Sequence, residues 1–195
     1  PYARYSDDII CFAQSAEERD AMRHRIRNFI EDYGLKINPT KEYTGDPGEA
    51  WEFLGISYQS GVLDLSTATV EKMKGKIRRK ARAIYRWSMK KQVPAQTAMR
   101  TFIRIFNRKF FDDQHIGDTN DLTWSRWFFP LINTDVSLKM IDAYMQQNIR
   151  YIATGRHSKA NYRIDYEQLK DCGYRCLVSE YYRQIQSNKG VDKSK

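Results

Sequence analysis

The first 13 residues contain two apolar stretches separated by three polar residues. Residues 2–5 and 9–13 are rich in aromatic and β-branched side chains, which favour strands. The polar residues 6–8 between them predict a tight turn. The pattern therefore predicts a β-hairpin at the start of the chain.

A helix and further strands are predicted after this hairpin. Residues 15–34 carry apolar side chains at helical spacing, with a capping box at the start and a glycine at the end. Residues 35–38, 52–58 and 62–65 predict three more strands, separated by turns that contain glycine or proline. The first 65 residues are therefore expected to form an α+β layer.

From residue 66 onward the apolar period is that of helices. A long helix over 66–91 is predicted to carry an apolar stripe of Val70, Met73, Ile77, Ala81, Ile84 and Trp87. The next helix, over 94–110, has the apolar positions Met99, Phe102, Ile103, Phe106 and Phe110. A polar loop is expected at 111–121, followed by helices over 124–132, 135–154, 166–172 and 177–185. The polar residues 187–195 are expected to be disordered.

The composition adds a large positive charge to this picture. Of 195 residues, 41% are apolar, which is enough for a core, and 33 Lys and Arg stand against 24 Asp and Glu. The net charge of +9 favours a polyanionic partner, either nucleic acid or a membrane surface. No apolar run approaches the roughly 20 residues that span a bilayer, so no membrane span is expected.

Three cysteines occur in the chain, Cys11, Cys172 and Cys176, without a signal-peptide pattern. An odd number of cysteines in such a sequence favours free thiols in a reducing compartment, so a cytoplasmic protein is expected. Cys172 and Cys176 would need His157 and a further ligand to bind zinc, and their spacing lacks the paired knuckles of structural zinc sites. No zinc site is therefore expected.

Two adjacent carboxylates, Asp7 and Asp8, stand in the predicted first turn. Holding like charges together costs free energy, and a divalent cation removes that cost. Magnesium takes oxygen ligands from carboxylates and from substrate phosphates, as in nucleotide-polymerising sites. The pair therefore indicates a Mg²⁺ site, and a solvated Asp-Asp turn is the alternative.

The carboxylates belong to the run Tyr5-Ser6-Asp7-Asp8, and two further blocks follow it at Gly34-Leu35-Lys36-Ile37-Asn38-Pro39-Thr40-Lys41 and Phe53-Leu54-Gly55. The first run, with its flanking strands, resembles the active-site hairpin of reverse transcriptases, in which Tyr-x-Asp-Asp joins two palm strands. The other two blocks are similar to the next blocks of that family. Three blocks in this order are specific, although each alone is a weak signal.

The resemblance implies a role for each matching residue of the hairpin. Asp7 would be the principal carboxylate that bridges the catalytic magnesium ions, with Asp8 beside it in a supporting position. Tyr5 and Ser6 would lie beneath the primer end and the incoming nucleotide.

The other two blocks also receive implied roles. Lys41 falls in a region that lies near the nucleotide phosphates in the family, and a solvated surface charge is an equally open interpretation. Phe53, Leu54 and Gly55 correspond to the hairpin that grips the primer strand, and the two apolar residues can also be ordinary core residues.

The resemblance further implies a fold for the whole chain. Residues 1–65 would be the C-terminal part of a polymerase palm, 66–111 the helices of a thumb, and 112–186 a helical C-terminal extension. The extension is similar, more loosely, to that of bacterial group II intron-type enzymes and their retron and defence-associated relatives.

The predicted helix over 66–91 holds most of the excess charge. Ten basic residues and one acidic residue lie between Glu71 and Lys91. A charged helix face is often only solvated, but a phosphate backbone would relieve this self-repulsion without reading sequence. We therefore expect a nucleic-acid contact that involves Lys76, Arg79, Lys80 and Arg86.

The aromatic residues between 124 and 182 are expected to form a helical core instead of a base-stacking surface. They include Trp124, Trp127, Phe128, Phe129, Tyr144 and Tyr151. Residues 156–163, within this range, form a basic stretch that contains an aromatic residue. This stretch either contacts RNA or is a plain surface loop. It consists of Arg156, His157, Lys159, Tyr162 and Arg163.

The function that the resemblance implies is that of an RNA-directed DNA polymerase of bacterial type, with an RNA template, a DNA primer and Mg²⁺. A two-metal site also needs a carboxylate that the family places upstream of Pro1, so the 195 residues alone are not expected to extend a primer. The main alternative is an RNA-binding maturation module of a mobile intron or defence system. An RNA-templated RNA polymerase is less favoured, because those enzymes usually carry glycine where Ser6 stands.

Overall fold

The computed structural model describes residues 1–46, 48–111 and 123–191, and it has the α+β fold that the pattern predicts. The strands are β1 (Tyr2–Tyr5), β2 (Asp8–Cys11), β3 (Trp51–Phe53), β4 (Ile56–Gln59) and β5 (Val62–Leu65). The helices are α1 (Ala16–Asp32), α2 (Thr67–Lys91), α3 (Ala95–Phe111), α4 (Trp124–Phe128), α5 (Val136–Thr154), α6 (Tyr166–Asp171) and α7 (Leu177–Val191). Residues 112–121 of the predicted polar loop lie outside the described residues.

The chain divides into two compact units, Pro1–Leu54 (unit 1) and Gly55–Lys195 (unit 2). Unit 1 begins with the predicted hairpin, in which β1 and β2 pair antiparallel. Helix α1 follows, and the hydroxyl of its N-cap Ser15 accepts a hydrogen bond from the Glu18 amide at 3.2 Å. The helix ends before Gly34, whose φ of 71° is the left-handed conformation that glycine adopts readily. The predicted hairpin and helix are therefore confirmed.

Ion pairs tie α1 to the segment that follows it. The Glu42 carboxylate accepts from Arg23 Nε at 2.5 Å and from Arg27 Nη2 at 2.7 Å, and Arg19 pairs with Asp46 at 2.9 Å. No residue among 1–46 and 48–54 is buried, although α1 carries the predicted apolar spacing. Unit 1 is thus held by backbone hydrogen bonds, ion pairs and partly exposed apolar contacts instead of a buried core.

Two strand predictions in the first 65 residues are wrong. Residues 35–38 are irregular, because the side chain of Asn38 accepts from the Thr40 amide at 3.0 Å and starts a 3-10 turn over Pro39–Lys41. The single strand predicted at 52–58 is divided, since the backbone turns at Leu54 and Gly55 between β3 and β4.

Unit 2 is a helical bundle whose central helix, α5, packs against α2, α3 and α7. The predicted apolar stripe of α2 is buried up to Ala81, and all five predicted positions of α3 are buried. The stripe prediction is wrong at Trp87, which is 40% exposed, because the small Ser88 occupies the buried face at that turn. No helix of the described residues is long and apolar enough to span a membrane. Helix α7 continues to Val191, beyond the predicted end at Ile185.

Side chains join the β4–β5 hairpin to the start of α5. Asn133 accepts from the Leu63 amide at 2.9 Å and donates to the Gly61 carbonyl at 2.8 Å, so its amide group extends the pairing of β5. The Asp64 carboxylate accepts from the Ser137 amide at 3.2 Å and thereby satisfies a free N–H group in the first turn of α5. The hairpin and the bundle therefore form one structure.

A buried carboxylate joins α5 to the start of α7. Asp142 on α5 is 4% exposed and accepts from the Tyr174 hydroxyl at 2.7 Å and the Cys176 thiol at 3.0 Å. It also accepts from the backbone amides of Leu177 and Val178 at 2.9 and 3.0 Å, which lie in the first turn of α7. Burial, followed by the bond to this carboxylate, raises the pKa of the Cys176 thiol. The charge of Asp142 is therefore matched by four donors and caps α7.

Candidate functional site

The Tyr-Ser-Asp-Asp run forms a two-residue hairpin turn. Tyr5 pairs with Asp8 across the ladder, which leaves Ser6 and Asp7 as the loop. Ser6 has a φ of 56°, a conformation that costs a residue with a side chain about 1 kcal/mol. Arg4 Nε donates to the Ser6 carbonyl at 2.8 Å and holds the turn in this shape. The turn thus places Asp7 at the tip and Asp8 at the first strand position after it.

Both carboxylates are exposed. Across residues 1–46, 48–111 and 123–191, neither side-chain carboxylate accepts a hydrogen bond or pairs with a cation. Two adjacent, uncompensated carboxylates on an accessible turn have the donor chemistry that magnesium prefers. Nowhere in the described part of the chain do three or more His, Cys, Asp or Glu side chains group as a metal site. The hairpin therefore presents two adjacent carboxylates, which is fewer than such a group contains.

The ladder register decides which side chains accompany Asp8. Residues two apart on one strand share a face, so Ala3, Tyr5, Asp8 and Ile10 lie on the same side of the hairpin. The Tyr5 ring is 56% exposed beside Asp8. A large aromatic surface and a carboxylate are thus presented together.

The strand after the turn is fixed at its far end by Phe12. Its backbone amide donates to the Pro1 carbonyl at 2.8 Å, which continues the ladder by one step. Its ring packs edge-on against Trp51, with 5.7 Å between the centroids. The base of the hairpin is therefore anchored within unit 1, while its tip is exposed.

Lys41 is the last residue of the 3-10 turn that Asn38 caps, and its side chain is exposed. Within the described ranges, this ammonium group pairs with no carboxylate and makes no hydrogen bond to the hairpin. The 3-10 turn fixes the backbone of Lys41, and its ammonium group is accessible to a ligand in solvent.

The Phe53-Leu54-Gly55 block forms the turn between β3 and β4. Leu54 has a φ of 49° and Gly55 a φ of 83°. The Gly55 carbonyl accepts from the Ser66 amide at 2.8 Å and from the Thr69 hydroxyl at 3.0 Å. A Cβ at Gly55 would lie 2.6 Å from the Thr69 oxygen, so only glycine fits. Gly55 is thus bound to the first turn of α2.

The predicted cationic residues lie on one half of α2. Arg79 and Arg86 are seven residues apart and face away from the buried stripe, and Lys76 and Lys80 lie on one flank. Of the ten basic residues on this helix, only Lys74 pairs with a carboxylate of the described residues, that of Glu71 at 2.8 Å. The face therefore carries a charge that this part of the protein does not neutralise.

One cation beside this face comes from another helix. Burial lowers the pKa of Lys76, and the positive charges of Lys109, Lys72 and Arg79 lower it further. Lys109 belongs to α3, so the periodicity of α2 alone contains no signal for it. Helical spacing does predict that Lys72 lies beside Lys76, because it stands four residues earlier in the same helix.

The C-terminal aromatic residues form core contacts, as predicted. Trp124 packs against Phe110, with 5.3 Å between the ring centroids, and against Phe128 at 4.9 Å. Phe129 is buried and contacts Tyr181 edge-on at 5.4 Å. These rings fill the space between α3, α4 and α7.

The structure thus brings Tyr5, Ser6, Asp7 and Asp8 together on one hairpin. It places Lys76, Arg79, Lys80 and Arg86 on one half of α2, and it fixes Gly55 at the start of that helix. Comparison with protein-family models, with curated proteins and with solved structures finds no match for this chain.

Proposed function

We propose that this chain is the metal-binding and duplex-binding part of a reverse transcriptase, an RNA-directed DNA polymerase. The observation that carries the proposal is the pair of carboxylates Asp7 and Asp8, which have no partner among the described residues, at a two-residue hairpin turn with the Tyr-Ser-Asp-Asp sequence. Because this hairpin resembles the active-site hairpin of reverse transcriptases, the reaction that we propose is the addition of nucleotides to a primer.

In the proposed mechanism, Asp7 binds the catalytic cation from the tip of the turn and Asp8 supports it from the first position of β2. Bound Mg²⁺ would lower the pKa of the primer 3′-hydroxyl and neutralise the charge on the leaving pyrophosphate. Tyr5, on the same face as Asp8, would support the primer end. The third carboxylate that a two-metal site uses is proposed to come from outside the 195 residues, as the resemblance implies.

The cationic half of α2 would hold the primer–template duplex. Its contacts to phosphates are independent of sequence, as a polymerase requires. The unneutralised charges of Lys76, Arg79, Lys80 and Arg86 support this role. Replacing them with glutamine should weaken duplex binding and flatten its salt dependence, by about one unit in slope for each lost contact.

Primer extension on an RNA template tests the proposal. The polypeptide that contains these residues at full length is compared with its Asp7→Ala variant in the presence of Mg²⁺. We expect a loss of synthesis of at least about a hundredfold, because charge stabilisation in the transition state is removed, with duplex binding retained. Asp32→Ala, at the exposed end of α1, is the matched control. Undiminished synthesis by the Asp7→Ala variant contradicts the proposal.

A second candidate is an RNA-binding maturation module in which chemistry is absent or secondary. It is favoured by the cations of α2, which need no catalytic hairpin to bind a phosphate backbone. The same variants separate the two functions. A maturation module keeps its activity with Asp7→Ala and loses it when the four cations of α2 are replaced.

A further inference from the structure

The eight residues that follow α5 form a second basic surface, the 156–163 loop. Arg156, His157, Lys159 and Arg163 are exposed, and over the described ranges none of them pairs with a carboxylate. The loop ends in a 3-10 turn over Lys159–Arg163. The sequence alone leaves open whether this stretch binds RNA or is a plain surface loop.

Close packing fixes the start of the loop against α2. Gly155 has a φ of 70°, and a Cβ at this position would overlap the hydroxyl of Tyr85. The Tyr85 ring packs against Tyr151 with 5.3 Å between the centroids, and His157 stacks on the same Tyr151 at 4.7 Å and an angle of 11°. A short column of three rings therefore joins α2, α5 and the loop.

Hydrogen bonds close the loop on itself. Asn161 is buried and its side chain donates to the Arg156 carbonyl at 2.5 Å, while its backbone amide donates to the Ser158 carbonyl at 3.1 Å. Arg150 of α5 donates through Nε to the Ile164 carbonyl at 2.8 Å. The backbone of the loop is thus fixed from within and from α5, so its exposed side chains project from defined positions.

Tyr162 presents an aromatic ring within this basic surface. The ring is 64% exposed, and the guanidinium carbon of Arg150 lies 5.2 Å from its centroid. This cation–π contact orients the ring and leaves most of its area in solvent. An oriented, exposed ring among unpaired cations has the features of a base-stacking platform.

The loop lies beside a different flank of α2 from the cations assigned to the duplex. Tyr85 of α2 packs against Gly155, the residue before the loop, and Arg78 and Arg82 share its side of the helix, seven and three residues earlier. Lys76 and Lys80 lie on the opposite flank. The loop and these two arginines therefore form a surface of their own.

We propose that the 156–163 loop binds single-stranded nucleic acid, with one base stacked on Tyr162 and the adjacent phosphates held by Arg156, Lys159 and Arg163. Cationic side chains that follow the backbone, together with aromatic rings for the bases, are the recurring means of holding single strands. The loop has no large aliphatic side chain, so it offers little to a membrane interior. The inference goes beyond the proposed polymerase, since it uses neither the Asp pair nor the flank of Lys76.

Fluorescence anisotropy with a labelled 12-nucleotide oligouridylate tests this surface on the full chain. We expect Tyr162→Ala to weaken binding about tenfold or more, because stacking on the ring is lost. Tyr162→Phe keeps the ring and should bind within about twofold of the unmodified chain, since the hydroxyl adds little to stacking. Lys159→Gln should reduce the slope of log affinity against log salt by about 0.7, the value for one phosphate contact on a single strand.

A DNA duplex measured in parallel separates this inference from the proposed function. Tyr162→Ala should leave duplex binding unchanged, whereas the Lys80→Gln, Arg86→Gln double variant should weaken duplex binding and leave the oligouridylate bound. Thermal unfolding checks that the variants fold. If Tyr162→Ala does not fold, Tyr162→Leu replaces it, since leucine keeps an apolar side chain over Arg150.

Three results would overturn the inference. Unchanged oligouridylate binding by Tyr162→Ala, or by its leucine substitute, removes the stacking platform. If polyglutamate of matched charge displaces oligouridylate as well as unlabelled oligouridylate does, the loop recognises negative charge and not nucleic acid. Binding to phosphatidylserine vesicles that depends on Tyr162, without oligouridylate binding, assigns the loop to a membrane surface.

Discussion

The two units differ in how they are held together. Every buried residue of the described chain belongs to unit 2, where α5 is surrounded by other helices. Unit 1 consists of the β1–β2 hairpin, α1, a 3-10 turn, the short strand β3 and irregular segments, and it relies on ion pairs such as those of Glu42. The residues proposed for metal binding therefore lie in the unit without a core, and those proposed for duplex binding lie on a packed bundle.

The physical chemistry of unit 1 explains why this difference matters. An isolated two-stranded hairpin is at best marginally stable in water, and exposed ion pairs contribute about 0–1 kcal/mol each. Several large apolar side chains of unit 1 are exposed, among them Phe29, Tyr33, Leu35 and Tyr43. Further polypeptide that covers these side chains would stabilise unit 1, as the proposed completion of a palm by other strands requires.

Separating the units should give the largest effect. Residues 55–195 are expected to unfold cooperatively by circular dichroism, because they contain the whole described core. Residues 1–54 are expected to show no cooperative transition. In the intact chain, amide hydrogens of β1, β2 and α1 should exchange far faster than those of α3 and α5. A cooperative transition in isolated 1–54 would show that unit 1 folds without a buried core and would contradict this difference between the units.

Within unit 2, Asp142→Ala should be the most destabilising single change. It leaves the donors of Tyr174, Leu177 and Val178 without a buried partner, and we expect a loss of about 3 kcal/mol. The denaturant midpoint at constant m-value measures the loss. Asp171→Ala, at an exposed position of α6, is the control and should change stability by less than about 0.5 kcal/mol. Equal effects of the two changes would contradict the capping role.

Two glycines at the ends of β4 offer a matched test of close packing. Gly55 and Gly61 have φ values of 83° and 85°, but only at Gly55 does a neighbouring atom, Thr69 Oγ1, meet an added Cβ. Gly61→Ala should cost about 1 kcal/mol from backbone strain, and Gly55→Ala about 1–2 kcal/mol more from overpacking. Chemical denaturation measures both. Equal losses would show that the turn is not tied to α2.

The smallest effect is expected for the ion pairs of unit 1. Glu42→Gln removes the partner of Arg23 and Arg27 and should lower stability by less than about 1 kcal/mol, with the difference disappearing in 1 M salt. Hydrogen exchange of α1 measures it, and Glu52→Gln is the control. A large, salt-independent loss would mean that unit 1 depends on buried charge after all.

The sequence predicts what is local. Helices α2, α3 and α5 follow from periodicity, and the β1–β2 hairpin follows from the apolar and polar pattern of residues 2–13. The turn at Leu54 and Gly55 could not be predicted from the hydrophobic pattern, because no polar residue separates the apolar residues on either side of it. The resemblance to a primer-grip hairpin indicates it nevertheless.

Long-range features could not be predicted in this way. Lys109 approaches Lys76 because α3 packs against α2, and Asp142 meets Tyr174 across 32 positions of sequence. The irregular 35–38 segment follows from the cap that Asn38 provides, which the alternating pattern does not reveal. Each of these depends on tertiary packing or on a competing local hydrogen bond.

The proposed function requires that Asp7 and Asp8 together hold a divalent cation at the hairpin tip. Paramagnetic broadening of backbone amide signals by Mn²⁺ tests it on the chain itself, since this effect reports even weak binding. The account predicts selective broadening at residues 6–9 that disappears in the Asp7→Asn, Asp8→Asn double variant and persists in Asp32→Asn. Broadening that spares the hairpin, or that survives the double substitution, would contradict it.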